Sequence, residues 1–148
     1  MKISKIISLI LILSSTVYAV APQYGKVARI IDGDTIVLTH KEHVRLLGID
    51  TPELHPAECY ATEAKNYVSR KIADKKIKLV FEGKTKDNYG RTLAWVYYGE
   101  NFEFLLNADI VREGYGLSYR KYPTSRTTQF NEFERQARTA KKGLRALD

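Results

Sequence analysis

The run GKVARIIDGDTIVLTHKEHVRLLGI, residues 25–49, decides the architecture of this chain. It reads as three strand segments, 25–31, 35–40 and 43–49, each rich in Val, Ile and Leu. Asp32-Gly33-Asp34 separates the first two and Lys41-Glu42 the second pair, both short enough for hairpin turns. Strands joined that closely form an antiparallel meander. Further along, Ala61, Ala64, Val68 and Ile72 recur at helical spacing over 61–72, with charges on the other side. Strand alternation returns at 76–82 through Ile77, Leu79 and Phe81, and at 92–98 through Leu93, Trp95 and Tyr97. A second helix is expected over 104–113, stopped by Gly114, and a third over 129–142, closed by Gly143. Five short strands with a helix after the third predict a mainly β chain with helices (α+β), folded as a five-stranded OB-type barrel with three α-helices. Such a fold does not specify a function, so the function must be read from a site.

At 148 residues there is room for one domain with a modest core. Lys2 and Lys5 precede an apolar run over 6–13, and Val17-Tyr18-Ala19 offers small residues for cleavage. Residues 1–19 therefore read as a secretory signal peptide cut after Ala19, the run being shorter than the roughly 20 residues of a membrane span. Residues 20–24 are expected as a loose leader and 25–148 as the folded domain, exported to the periplasm or the medium. The formal charge of +7 falls to about +5 once Lys2 and Lys5 are removed, an excess that favours polyanionic partners. The single cysteine, Cys59, excludes an internal disulfide and a cysteine-based zinc cluster, and is expected as a half-buried small hydrophobe.

Chemistry concentrates in three segments. Asp34 follows the Asp-Gly turn, and Asp50-Thr51-Pro52-Glu53 ends the third strand segment. Pro52 keeps Thr51 out of helical geometry, leaving its carbonyl available. Asp34, Asp50 and that carbonyl make three hard oxygen donors suited to calcium, with water completing the shell. Arg45 lies five residues before Asp50, so in a regular pleat the two would face opposite ways. They meet only if the strand bends near Gly48. Arg91, in Asp87-Asn88-Tyr89-Gly90-Arg91, is expected to bring a second guanidinium from the opposite wall, and the two arginines suit the oxygens of a phosphate and the charge of its transition state. Glu53 is placed to orient or deprotonate a water. Tyr89 is a candidate to pack on a nucleotide or bond its phosphate, and Tyr119 and Tyr122 are candidates to stack on bases. His40, His43 and His55 are not at metal-ligand spacing and read as surface or packing residues.

In these segments the chain resembles the staphylococcal nuclease (thermonuclease) family. The matching residues are IDGDTI at 31–36, RLLGIDTPE at 45–53, and DNYGR at 87–91 followed by Leu93-Ala94, with a weaker match over 106–114. The resemblance implies a five-stranded OB-type barrel with three helices and calcium-dependent hydrolysis of DNA and RNA to 3′-phosphate products. It implies metal binding by Asp34, Asp50 and the Thr51 carbonyl, action on water by Glu53, catalysis by Arg45 and Arg91, and a place for Tyr89 at the nucleotide's phosphate. Asn88 stands where the family's type member has a lysine, and the loops 54–60 and 115–123 differ in length. The expected partner is nucleic acid, met by a monomer with no stable protein partner. A noncatalytic OB-type binding module is the competing reading, and a general basic surface-binding protein a third. Neither explains why acids and arginines occur together.

Overall fold

The computed structural model describes residues 20–146, so the expected signal peptide lies outside the described residues. Strands β1 (Gln23–Ile30), β2 (Thr35–Leu38) and β3 (His43–Leu46) form the expected meander, with Ile30 opposite Ile36 and Ile36 opposite Val44. A register shift between Val27 and Arg29 bends β1, which helps a short sheet curl. After helix α1 (Ala61–Ile72), β5 (Lys76–Val80) pairs antiparallel with β1 and with β6 (Thr92–Tyr98). β6 then runs parallel to β3, placing Leu93 opposite Arg45. That last pairing closes the ring β1-β2-β3-β6-β5 into the five-stranded barrel the sequence predicts.

Alternation along the strands fills the interior: Val27, Ile36, Leu38, Val44, Leu46, Ile77, Leu79, Ala94 and Val96 are all buried. Each large aliphatic side chain so removed from water contributes on the order of 1.5–3 kcal/mol. Helix α1 buries Ala64, Val68 and Ile72, as its spacing predicts. Short strands β4 (Ile49–Asp50) and β8 (Leu117–Ser118) pair with each other beside the barrel, joining the end of the meander to the tyrosine-rich segment. Helices α2 (Leu106–Arg112) and α3 (Thr127–Thr139) pack together, with Phe130 of α3 fully buried against Trp95. Buried Asn107 pins α2 to the barrel: its Nδ2 donates to the carbonyls of Leu47 and Ala94, and its Oδ1 accepts from the N–H of Val96.

Several boundaries differ from expectation for local reasons. β1 starts at Gln23, because Gln23 and Tyr24, expected in the leader, pair with Leu79 and Lys78. The third strand segment breaks after Leu46 instead of running to 49. Phe104 and Leu105 form strand β7, paired with β6, so α2 begins later than 104. Helix α3 starts two residues earlier than expected and stops at Thr139, and Gly143 opens a 3-10 turn (Gly143–Ala146) instead of closing the helix. Cys59 is exposed, not half-buried, because the loop before α1 lies outside the core.

Candidate active site

Asp34 is the centre of the cluster. Its side chain is 1% exposed, and each oxygen already has a donor. Oδ1 accepts from the Thr35 hydroxyl at 3.0 Å, and Oδ2 accepts from the Thr51 N–H at 2.9 Å. The contact across to Thr51 requires glycine at position 33, since a Cβ there would lie 2.8 Å from the Thr51 side chain. The Asp-Gly turn is thus more than a hairpin device: it lets two loops touch so that one carboxylate reaches the other's backbone. Asp32 is buried as well, and its Oδ1 accepts from the Asp34 N–H at 3.1 Å.

Arg45 and Asp50 meet because the chain turns between them. β3 ends at Leu46, and Gly48 adopts φ 70, a left-handed conformation that reverses the pleat before β4. Nη1 of Arg45 donates to the carbonyls of Leu46 and Ile49, each at 2.9 Å, which fixes the guanidinium on this turn. Nη2 then lies 3.1 Å from Asp34 Oδ2 and 3.4 Å from Asp50 Oδ1. Two carboxylates, one from the β1–β2 turn and one from β4, converge on one nitrogen.

Glu53 follows on an exposed loop whose ends are clasped by reciprocal bonds. Its N–H donates to Glu58 Oε2 at 2.7 Å, and the Glu58 N–H donates to the Glu53 carbonyl at 2.8 Å. Glu58 is a member of the acid group that the sequence reading missed, because nothing in the spacing 53–58 announces a clasp. All three predicted acids bind their protons more tightly than usual. Burial pushes Asp34 up, Arg45 pulls it down, and Asp32 adds to the rise. Burial likewise raises Asp50 against Arg45, with Asp34 and Glu58 adding to the rise. Burial raises Glu53, and so do Asp34, Asp50 and Glu58, again opposed by Arg45. One guanidinium therefore does not balance the negative charge of this group.

Arg91 sits on the same wall of the barrel as Arg45, not on the opposite wall as expected, because β6 pairs directly with β3. Arg45 is opposite Leu93, and alternation back along β6 brings Arg91 out on the same face, while Val44, Leu46, Thr92 and Ala94 point inward. Its direct partner is Asp87, however, whose Oδ2 accepts from Arg91 Nε at 2.6 Å. Burial alone would raise the Asp87 carboxyl, but this bond and the N–H groups of Arg91 and Tyr89 pull it below its ordinary value. Tyr89 is 87% exposed, with the Arg91 guanidinium 5.4 Å from its ring centre. Tyr119 borders the acid cluster, its ring 5.9 Å from the Arg45 guanidinium, and its N–H donates to the Gly48 carbonyl. Tyr122 packs edge-on against Tyr119 at 5.6 Å and is itself exposed. The structure thus gathers Asp34, Asp50, Thr51, Arg45, Glu53 and Tyr119 around one place, with Tyr122 behind Tyr119 and Arg91 and Tyr89 further along the wall.

The donor set fits a hard divalent cation. Among the described residues no three Asp, Glu, His or Cys side chains are grouped tightly enough to cage an ion by themselves. The ion would have to take Asp34, Asp50, the Thr51 carbonyl and water, an all-oxygen set of the kind calcium accepts. The Thr51 hydroxyl is buried here without a hydrogen-bond partner, so the site holds polar capacity that the protein does not satisfy internally.

Known proteins share the sequence of this chain over much of its length. The family model described as "Staphylococcal nuclease homologue" matches residues 43–146. The thermonuclease of Staphylococcus hyicus is 32% identical over 130 residues, covering 82% of this chain and 75% of that protein. The thermonuclease of Staphylococcus intermedius is 37% identical over 95 residues, covering 60% of this chain and 55% of that protein. The micrococcal nuclease of Shigella flexneri is 34% identical over 129 residues, covering 81% and 72%.

Proposed function

This chain belongs to the staphylococcal nuclease family, and from that premise we propose that it is an exported, calcium-dependent nuclease cutting both DNA and RNA with little sequence preference. Nuclease action on nucleic acid comes with the family; the metal, the course of the reaction and the export are inferred from residues. The observation that carries the reading is the convergence of Asp34 and Asp50 on Nη2 of Arg45, at 3.1 and 3.4 Å. An excess of carboxylates around a fixed guanidinium makes sense where a cation and a phosphate must be held side by side.

Asp34, Asp50 and the Thr51 carbonyl would hold the ion, which when bound supplies positive charge beside the phosphate oxygens. Glu53 orients the attacking water or takes its proton, and its raised proton affinity makes it a better acceptor than a solvated glutamate. The water oxygen bonds to phosphorus as the water gives up a proton, the bond from phosphorus to the 5′ oxygen breaks, and that oxygen takes up a proton from solvent and leaves as a hydroxyl. The phosphate stays on the 3′ side. Arg45, fixed by two carbonyls, and Arg91, fixed by Asp87, take up the charge that grows on the nonbridging oxygens. Tyr119 and Tyr122 offer ring faces to bases, and a ring face does not discriminate sequence. The protein acts as a monomer, and Lys2, Lys5 and the apolar run over 6–13 direct it out of the cytoplasm.

The test is digestion of plasmid DNA and of RNA by the mature protein, with calcium and then with a chelator. Both polymers are expected to be cut only when calcium is present. Binding without cleavage in calcium would sink the proposal in favour of a noncatalytic OB-type module.

A further inference from the structure

The outer face of β1, β5 and β6 carries a row of side chains that neither the core nor the candidate active site uses. Tyr24 is opposite Lys78 on β5, and Lys78 is opposite Tyr97 on β6. Directly paired residues of antiparallel strands project to one side, and Ile77 and Leu79 fill the interior, so all three point outward. At the spacing of hydrogen-bonded strands the two tyrosines stand about 10 Å apart, with the lysine midway. Arg126 extends the row, its Nη2 donating to the Tyr97 hydroxyl at 3.2 Å. Tyr24 is 53% exposed, with Lys76 Nζ 5.3 Å from its ring centre.

Charge on this face is one-sided. Lys26 is opposite Lys76, a like-charge pair that weakens a sheet instead of holding it. Among the described residues no carboxylate pairs with Lys26, Lys76 or Lys78. Lys86 shows the usual alternative. Its Nζ donates to Glu42 Oε1 at 3.1 Å, and Glu42 also accepts from the Thr92 hydroxyl and lies 2.9 Å from His40 Nε2. Burial alone would raise that carboxyl, but the bonds from Thr92, His40 and Lys86 outweigh it and hold it at about 2. The acids at the margins of the β1–β5–β6 face are committed elsewhere. Glu82, just past β5, accepts from the Trp95 indole and from Ser125, and Glu103, just before β7, accepts from the Asn101 N–H. Unanswered cations interleaved with aromatic rings on an open sheet suit a single-stranded nucleic acid, whose phosphates meet the cations and whose bases stack on the rings. An anionic membrane calls for apolar side chains to bury among acyl chains, and this row has none.

We infer that the outer face of β1, β5 and β6 is an exosite for single-stranded nucleic acid, with bases against Tyr24 and Tyr97 and phosphates on Lys76 and Lys78. Binding there stands on this face alone; its use rests on the proposed nuclease function. Tyr97 and Arg91 alternate to the same side of the chain along β6, and the residues between them span about 20 Å. A strand held at Tyr97 can therefore run on toward the cutting site, the distance being that of about six nucleotides at duplex stacking. Long polymers are retained by the exosite, whereas short ones meet only the active site.

The experiment uses the double variant Lys76→Gln/Lys78→Gln and the single variant Tyr24→Ala, none of which touches the core. Binding of a fluorescent oligothymidine of about 30 nucleotides, long enough to reach both places, is followed by anisotropy at several salt concentrations. A chelator is present, so that nothing is cut. Loss of two phosphate contacts should lower the slope of log affinity against log salt by about 1.4, so the deficit of the lysine variant grows about 25-fold for each tenfold drop in salt. Tyr24→Ala should weaken binding about fivefold or more with its salt slope unchanged. With calcium restored, KM for the long oligonucleotide should rise in both variants, while kcat and the KM for a p-nitrophenyl ester of a single nucleotide stay as they were. An unchanged slope in the lysine variant, or unchanged affinity in Tyr24→Ala, overturns the exosite and leaves the nuclease proposal standing if the protein cuts. Variants that lose sedimentation with phosphatidylglycerol vesicles yet bind the oligonucleotide as before give the face to a membrane and overturn the exosite as well. Weakened binding of the expected form in a protein that cuts nothing supports the exosite and refutes the nuclease proposal.

Discussion

Replacing Asp34 by asparagine should separate the chemistry of the site from its structural role. Three donors reach this carboxylate: the Thr35 hydroxyl, the Thr51 N–H and Nη2 of Arg45. An asparagine can turn its oxygen toward Thr51 and Arg45 and its amide toward Thr35, whose hydroxyl rotates to accept. Every hydrogen bond survives, and burial penalises a neutral amide less than a carboxylate that burial already pushes up. The expected loss of stability is within about 1 kcal/mol, because the weakened ion pair and the relieved desolvation oppose each other. Asp34→Ala removes both acceptor oxygens, leaves the buried Thr51 N–H and Thr35 hydroxyl without this partner and leaves the nearly buried Arg45 guanidinium with Asp50 alone, at a cost of about 3–5 kcal/mol. At roughly 4 °C per kcal/mol for a domain of this size, the alanine variant should melt about 12–20 °C lower and the asparagine variant less than about 4 °C lower. Calcium at a hundredfold excess over its dissociation constant adds about 2.7 kcal/mol to a protein that binds it, and this increment should vanish in Asp34→Asn. Cleavage should fall at least about 100-fold in the same variant. Differential scanning calorimetry with and without calcium, alongside plasmid digestion, reads all of these quantities. An asparagine variant that melts as low as the alanine variant, or that keeps its calcium shift, would refute the reasoning.

Two further outcomes follow from the same contacts. Arg91→Ala breaks a partly exposed pair with Asp87, worth no more than about 1 kcal/mol, so circular dichroism and the melting temperature should barely change. Cleavage in this variant should drop about 100- to 1,000-fold, chiefly through kcat. Glu42 is held at about 2 when folded, against an ordinary 4.5, so the folded state favours its ionised form. Its contribution to stability is complete above pH 4.5 and lost as the pH falls toward 2. Glu42→Gln should flatten that part of the acid-unfolding curve while leaving its neutral-pH shape intact, and a superimposable acid limb would contradict the assignment.

Much of the barrel was legible in the chain because its signals are local. The hairpin at Asp32-Gly33-Asp34, the helix over 61–72 and the strand over 92–98 each follow from periodicity and turn chemistry within a few residues. Where the reading slipped, a distant partner decided the outcome. Gln23 and Tyr24 have no strand signal of their own and are extended because β5 offers them an edge. Phe104 and Leu105 are drawn from helix into a strand by β6.

By itself the sequence determined which groups this protein has to work with: oxygen donors at Asp34, Asp50 and Thr51, guanidiniums at Arg45 and Arg91, and an order of elements able to close a small barrel. Tertiary structure decided which of them meet. The parallel pairing of β3 with β6 puts Arg45 and Arg91 on one wall, and the reversal at Gly48 brings Asp50 back to Arg45. Close approach at Gly33 lets Asp34 reach the Thr51 backbone, and pairing of β4 with β8 sets Tyr119 beside the guanidinium. Glu58 and Glu42 gained their places only there. Local propensity acts over a few residues, whereas a charged cluster forms wherever the closed barrel brings loops from distant parts of the chain within hydrogen-bond range.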